Sequence, residues 1–270
     1  MGTIQGSSIS NVVTTGVFTI PAMKKSGFSD NYAGAVEAVA STGGQIMPPI
    51  MGASAFIMAD MIGVPYMAIA KYAIIPALLY YTSVFAQIHF KAKSMRLNGF
   101  AKEELPKFFK DVILKQGLYI MPILIIIFMT LNGYSLMRAG LMAVLLVMAL
   151  GLIFSNDRKQ TAKDMVNALA KAPENMGTVI AAVMCAGIII GIVFISSLGL
   201  RLSAIIISAS GGKLIFALLL TFVLAVILGM GMPTSGSYIL MGTLLAPALV
   251  NMGLSTVQAH MFVFYFACMS

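Results

Sequence analysis

Long apolar runs with almost no charge constrain this chain more than any motif in it. Residues 65–90, PYMAIAKYAIIPALLYYTSVFAQIHF, carry one lysine, and residues 140–154, GLMAVLLVMALGLIF, carry no charge. A helix of about 20 such residues crosses a hydrocarbon core of about 30 Å. Backbone polar groups in that core are satisfied only within helices or closed barrels. Runs of 15–25 residues without strand-like alternation therefore predict an all-α integral membrane protein. Composition agrees: 59% of the chain is apolar and 10% charged, where a soluble domain is about half apolar and a quarter charged.

The charges are segregated. Of seventeen Lys and Arg, seven lie in 91–116 and four in 155–175. These basic segments are amphipathic and adjoin apolar spans, as cytoplasmic loops do. The net charge of +8 is thus a membrane feature, and nucleic acid is not an expected partner; lipid is. Cys185 and Cys268 sit in apolar runs and read as buried small hydrophobes. Met1-Gly2 opens a polar Gly/Ser-rich stretch rather than a signal peptide. HExxH, CxxC, GxSxG and phosphate-loop patterns do not occur, and no nucleophile is coupled to a base, so no enzyme is expected.

Within the oil, STGGQIMPPIMGAS (41–54) places two glycines and two prolines, which weaken and break helices. The flanking arms, 32–41 and 50–62, are each about half a bilayer long. The sequence predicts a re-entrant hairpin with its tip at about 42–49, and a Pro-Pro kink in one span is the alternative. Non-helical backbone at membrane depth must be buried in protein or line a watery cavity. Carbonyls and hydroxyls at such a tip suit a small hard cation, and helix N-termini suit anions. Thr42, Gly43, Gly44 and Pro48 are candidate ion or substrate contacts on this ground. A second break, GMGMPTSGS (229–237), nominates Gly229, Gly231, Pro233, Thr234 and Ser235. Ser7, Ser8, Ser10 and Asn11 offer oxygens near the start, with helix capping as the alternative role. Glu37 and Asp60 are the acidic residues nearest the predicted hairpin. Lys71 and Arg138 are expected to snorkel, and His89 and His260 to pack or sit at the interface.

A shift of 226 residues superposes Gly16, Pro21, Ala22, Gly27, Ser29 and Ala33 on Gly242, Pro247, Ala248, Gly253, Ser255 and Ala259. Counting spans from cytoplasmic basic segments puts 24–31 and 132–134 outside and 251–256 inside. The copies are then upside down, as in secondary transporters with broken helices. Three regions follow: a first copy at 1–90, a cytoplasmic amphipathic section with two spans at 91–175, and a second copy at 176–270. A structural or channel-like subunit is the rival reading; it calls for a continuous polar stripe rather than a repeat.

GSSISNVVTTGVFTIPAMKKSGF, AVEAVASTGGQIMPPIMGASAFIMAD, KYAIIPALLYY and LGMGMPTSGSYILMGTLLAPALVNMG together resemble the large membrane subunit of TRAP transporters, the tripartite ATP-independent periplasmic transporters. The fused permease that works with TAXI-type binding proteins is the most similar subtype. The resemblance implies an elevator-type permease in the bacterial inner membrane, multi-pass, with sodium as coupling ion and no other cofactor. It implies a carboxylate substrate delivered by a periplasmic binding protein, and a small membrane subunit or its fused equivalent. The family's second tip would fall past Ser270, so a fragment is expected.

Overall fold

The computed structural model describes residues 6, 8–97, 120–132, 134, 136–155 and 157–269. Among them helices are the only regular structure. In order they are α1 (Ser8–Lys25), α2 (Asp30–Ile46), α3 (Ala53–Ile62), α4 (Tyr66–Ser94), α5 (Met121–Leu131), α6 (Leu136–Phe154), α7 (Arg158–Ile195), α8 (Leu198–Ala209), α9 (Leu214–Gly229), α10 (Thr234–Leu244), α11 (Ala246–Asn251) and α12 (Thr256–Met269). Two compact units result, one of Met1–Leu97 with Thr178–Ser270 and one of Asn98–Gly177. Ser7 and residues 98–116 of the basic segment 91–116 lie outside the described residues.

Large apolar side chains cover the outside. Phe18, Ile75, Leu79 and Phe85 are each at least 66% exposed, and an apolar surface of this extent belongs against lipid. Many interior positions of the first unit are small: Ala33, Ala55, Ala73, Ala77, Ala217, Ala225, Ala248 and Ala259 are fully buried. Small residues let helix backbones approach closely, which is how membrane helices gain packing energy. α4 and the 18 residues from Met137 are long and apolar enough to cross a membrane. Cys268 is buried as expected, whereas Cys185 is exposed; α7 presents apolar residues such as Ile180, Met184 and Ile188 on its outside as well.

Two connections differ from the sequence expectation. Residues 199–212, whose Gly and Ser punctuation predicts a connection between spans, are mostly helix α8, and the amphipathic segment 155–175 continues without interruption into the next span as α7. Gly and Ser cost helix propensity only about 1 kcal/mol each. An apolar surrounding that leaves backbone groups no other partner outweighs that.

The two repeat copies share backbone geometry. α1 and α10 begin at Ser8 and Thr234, α2 and α12 at Asp30 and Thr256, both pairs 226 apart. The turn before α2 and the turn before α12 each hold a glycine of positive φ, +100° at Gly27 and +101° at Gly253. Phe28 N donates to Met23 O (3.1 Å), as Leu254 N donates to Leu249 O (3.2 Å). The side-chain oxygens of Ser29 and Ser255 accept from Tyr32 N and Gln258 N, at 3.4 and 3.3 Å. Both are glycine-terminated helix ends followed by a serine cap. A Cβ at Gly253 would meet nothing within 4 Å, so Gly253→Ala isolates backbone strain. It is expected to cost about 1–3 kcal/mol, read as a lower thermal midpoint of the purified protein in detergent.

α4 returns alongside α2. Tyr66 at its start bonds Pro49 O and Ile50 O, Tyr80 and Tyr81 bond Val39 O and Ala40 O, and Lys91 lies over the Tyr32 ring at 5.9 Å. Leu97 contacts Gly27. The end of α4 and the 24–31 turn are therefore at the same end of this unit, contrary to the span count that put them on opposite faces. α3 leads to Tyr66 beside the break, not back to where α2 began. The break thus interrupts a chain path that α4 reverses, and the re-entrant hairpin expected at 32–62 is not formed. Lys24 pairs with Asp30 at 3.0 Å on the exposed surface, a contact worth about 0–1 kcal/mol.

Candidate functional site

Helix α2 runs unbroken through Thr42, Gly43 and Gly44 to Ile46, and the non-helical turn is 47–52. The break expected at 42–49 is thus displaced toward the prolines: Pro48 lies in it, and the other three candidates do not. Gly43 serves close approach instead. A Cβ on Gly43 would stand 2.6 Å from Tyr80 Cε1 and 2.9 Å from Tyr81 Cζ.

The turn itself is held from several sides. Pro48-Pro49 is cis and Met51 has φ +59°. Gly52 N donates to Gln45 O at 2.8 Å. The Tyr66 hydroxyl donates toward Pro49 O at 2.9 Å and also contacts Ile50 O. Gly6 crosses the turn, and a Cβ on it would sit 3.2 Å from Met51 O. Removing the hydroxyl by Tyr66→Phe leaves these part-buried carbonyls one donor short. The expected loss is about 1–3 kcal/mol, measured as a lower unfolding midpoint with faster amide exchange around Gly52.

A cavity of about 670 Å³ opens beside this turn. Its wall draws on both repeat copies at equivalent positions: Ser8 with Thr234, and Thr42 with Cys268. Ser8 and Ile9 are the first turn of α1; Pro233 and Thr234 begin α10. Both helices therefore present N–H groups that lack intrahelical partners, and both positive dipole ends, to one space. Gln45, Tyr80, Ser83 and Gln87 add polar groups from α2 and α4, while Ala38, Val39, Val84 and Met232 help make it mostly apolar. No Lys, Arg, His, Asp or Glu is among the described residues that line it.

Other predicted residues fall around this cavity rather than in it. Asn11 is buried and donates through Nδ2 to Ser41 Oγ at 2.8 Å. Its Oδ1 and the Oε1 of Gln45 are buried without a hydrogen-bond partner. Gly231 has φ +77° in the second break. Ser10 and Ser235 lie in the first turns of α1 and α10 but do not line the cavity. Gly229 is buried at the end of α9. Glu37 is 5% exposed and accepts from Thr15 at 2.6 Å and Thr19 at 2.5 Å. Asp60 is exposed, as are Lys71 and Arg138. His89 stacks on Phe85; His260 is buried with its Nδ1 2.8 Å from the Tyr238 hydroxyl.

Sequence reasoning did not single out Gln45, Ser83, Gln87 or the tyrosines of α4. The Thr15–Thr19 spacing of one helical turn was a usable signal for a polar face; the Tyr80 and Tyr81 contacts, 41 residues from their acceptors, left none. Over residues 1–270 the chain matches the family model described as "Tripartite ATP-independent periplasmic transporter, DctM component". No curated protein matches it significantly.

Proposed function

The chain belongs to the DctM component family of the tripartite ATP-independent periplasmic transporters, and from that premise we propose that it is a sodium-coupled permease for organic acids. In this reading a periplasmic binding protein of the TAXI type delivers the carboxylate. A small membrane subunit or its fused equivalent completes the assembly in the bacterial inner membrane. The observation that carries the substrate side is the cavity on which the first turns of α1 and α10 converge. A carboxylate there meets two positive helix ends. The sodium side is supported by oxygens near the turn: Asn11 Oδ1 and Gln45 Oε1 lack partners, and Met51 O lies against Gly6 while Gly6 O lies against Gly52. Neutral oxygens of this kind suit a hard monovalent cation.

The shared turn geometry and the 226-residue offset support a repeat, which this reading takes as inverted and moving as an elevator. Lys24, Lys25, Lys91, Lys93 and Arg96 lie at one end of the first copy, which the positive-inside rule makes cytoplasmic; inversion then makes 251–256 periplasmic. Single cysteines at Lys25 and Asn251, in an otherwise cysteine-free permease, should label from the cytoplasmic and periplasmic faces respectively. Labelling of both from one face would remove the inverted repeat. The functional test is uptake into proteoliposomes holding the whole permease assembly and its binding protein. Carboxylate accumulation should follow an imposed sodium gradient. Flux that ignores sodium and only equilibrates would point to a channel-like subunit instead.

A further inference from the structure

We infer that the end of the first unit where α1 and α4 finish binds an anionic glycerophospholipid. Its phosphate sits among Lys24, Lys25, Lys91, Lys93 and Arg96, and its acyl chains lie against the apolar side chains that precede them on both helices.

Contacts bring two separate segments together at this end. Lys91 Nζ stands 5.9 Å from the centre of the Tyr32 ring, and Tyr32 stacks on Phe28 at 5.3 Å. Arg96 has φ +54°, the left-handed turn that stops α4, and Leu97 after it packs on Gly27. All five cationic side chains are exposed.

The local charge is strongly positive after every offset is counted. Asp30 is the one acidic residue in 18–32 and 85–97, and it pairs with Lys24 at 3.0 Å. The C-termini of α1 and α4 together add about one negative unit, and the N-terminus of α2 returns about half of it. Roughly three positive charges are left over. Residues 98–116 carry four lysines against Glu103, Glu104 and Asp111, so the stretch that follows does not reverse the sign.

Apolar surface adjoins these charges. Phe85 and Phe90 on α4 are 71% and 67% exposed, and Phe18 on α1 is 76% exposed. They precede the cations by about two helical turns or less. A cationic rim beside lipid-facing aromatic rings matches both halves of a phospholipid, whereas a soluble phosphate matches the rim alone. Basic clusters at the membrane surface favour anionic headgroups by about fivefold in affinity per Lys or Arg.

The test is native mass spectrometry of the full permease in detergent, titrated with dioleoylphosphatidylglycerol or dioleoylphosphatidylcholine. The chains are identical and only the headgroup charge differs. Phosphatidylglycerol should bind about tenfold or more tightly. Lys91→Gln, Lys93→Gln and Arg96→Gln together should erase that preference, and Lys91→Arg with Lys93→Arg should keep it. Location is read on the unmodified permease, which needs no variant to fold. Phosphatidylglycerol carrying a photoactivatable acyl chain should crosslink within 18–32 and 85–97. Glycerol 3-phosphate at about 100-fold excess should not displace the lipid, because it lacks the chains that bury apolar surface. Equal binding of the two lipids would overturn the assignment, as would crosslinks confined to other segments. Displacement by glycerol 3-phosphate would make this a phosphate site instead and overturn it too. None of these results bears on the carboxylate cavity, so the permease reading survives each of them.

Discussion

Replacing Gly43 by valine is expected to abolish transport and to reduce the yield of folded permease sharply. The added Cβ would fall 2.6 Å from Tyr80 Cε1 and 2.9 Å from Tyr81 Cζ, distances that real side chains do not tolerate. The rings cannot swing aside freely, because their hydroxyls are bonded to Val39 O and Ala40 O. Overpacking costs about 1–3 kcal/mol, and releasing two hydrogen bonds adds about 1 kcal/mol each. A total of about 3–5 kcal/mol is a large share of a typical stability margin. The decisive comparison is with a triple variant that also carries Tyr80→Ala and Tyr81→Ala. It should recover much of the folded yield on size-exclusion chromatography. If Gly43→Val alone purified and melted like the parent, the close packing of α2 on α4 would not be what the glycine is for.

The second large effect concerns Glu37. Its two oxygens take hydrogen bonds from Thr15 and Thr19, one turn apart on α1, and Gly16 between them leaves room for its side chain, with a Cβ there 3.4 Å from Glu37 Cγ. Thr15→Val with Thr19→Val keeps the shape and removes both donors. Hydrogen bonds to charged groups contribute about 1.5–3 kcal/mol each, and a buried group left unpaired costs its full desolvation. The double variant is therefore expected to lose about 3–5 kcal/mol, seen as a fall in the detergent unfolding midpoint. Adding Glu37→Leu should restore most of that midpoint, since removing all partners together is nearly neutral. A triple variant as unstable as the double would mean that the threonines act on helix packing rather than on the carboxylate. Transport by the triple variant reports separately whether the carboxylate is needed for coupling.

Much of this was legible from the residues. Apolar runs marked the spans, and Gly27, Ser29, Gly253 and Ser255 marked two equivalent turns, because a positive φ and a helix cap each demand particular side chains. The prolines located the first break. Gly43 misled, since Gly means either a weak helix or a close neighbour, and only the tyrosines 37 and 38 residues downstream decide between them. The orientation of the 24–31 turn was missed for a related reason. Counting spans assumed that α3 brings the chain back, whereas the return is made by α4, and the contact of Lys91 with Tyr32 that reveals it links residues 59 apart. The cavity combines five separate stretches of chain, and no local pattern predicts that Gln45 and Gln87 share a wall with Pro233.

The polar links among α1, α2 and α4 have a mechanical consequence. Asn11 to Ser41, Thr15 and Thr19 to Glu37, and Tyr80 and Tyr81 to Val39 and Ala40 are rungs at successive heights. Sliding one helix past another by a single turn, about 5.4 Å, would snap every rung on that side at once. The three helices therefore form a cross-braced girder, stiff against internal shear. Any excursion that carries the cavity across the membrane has to move the girder whole, with the give located in the turns at its ends.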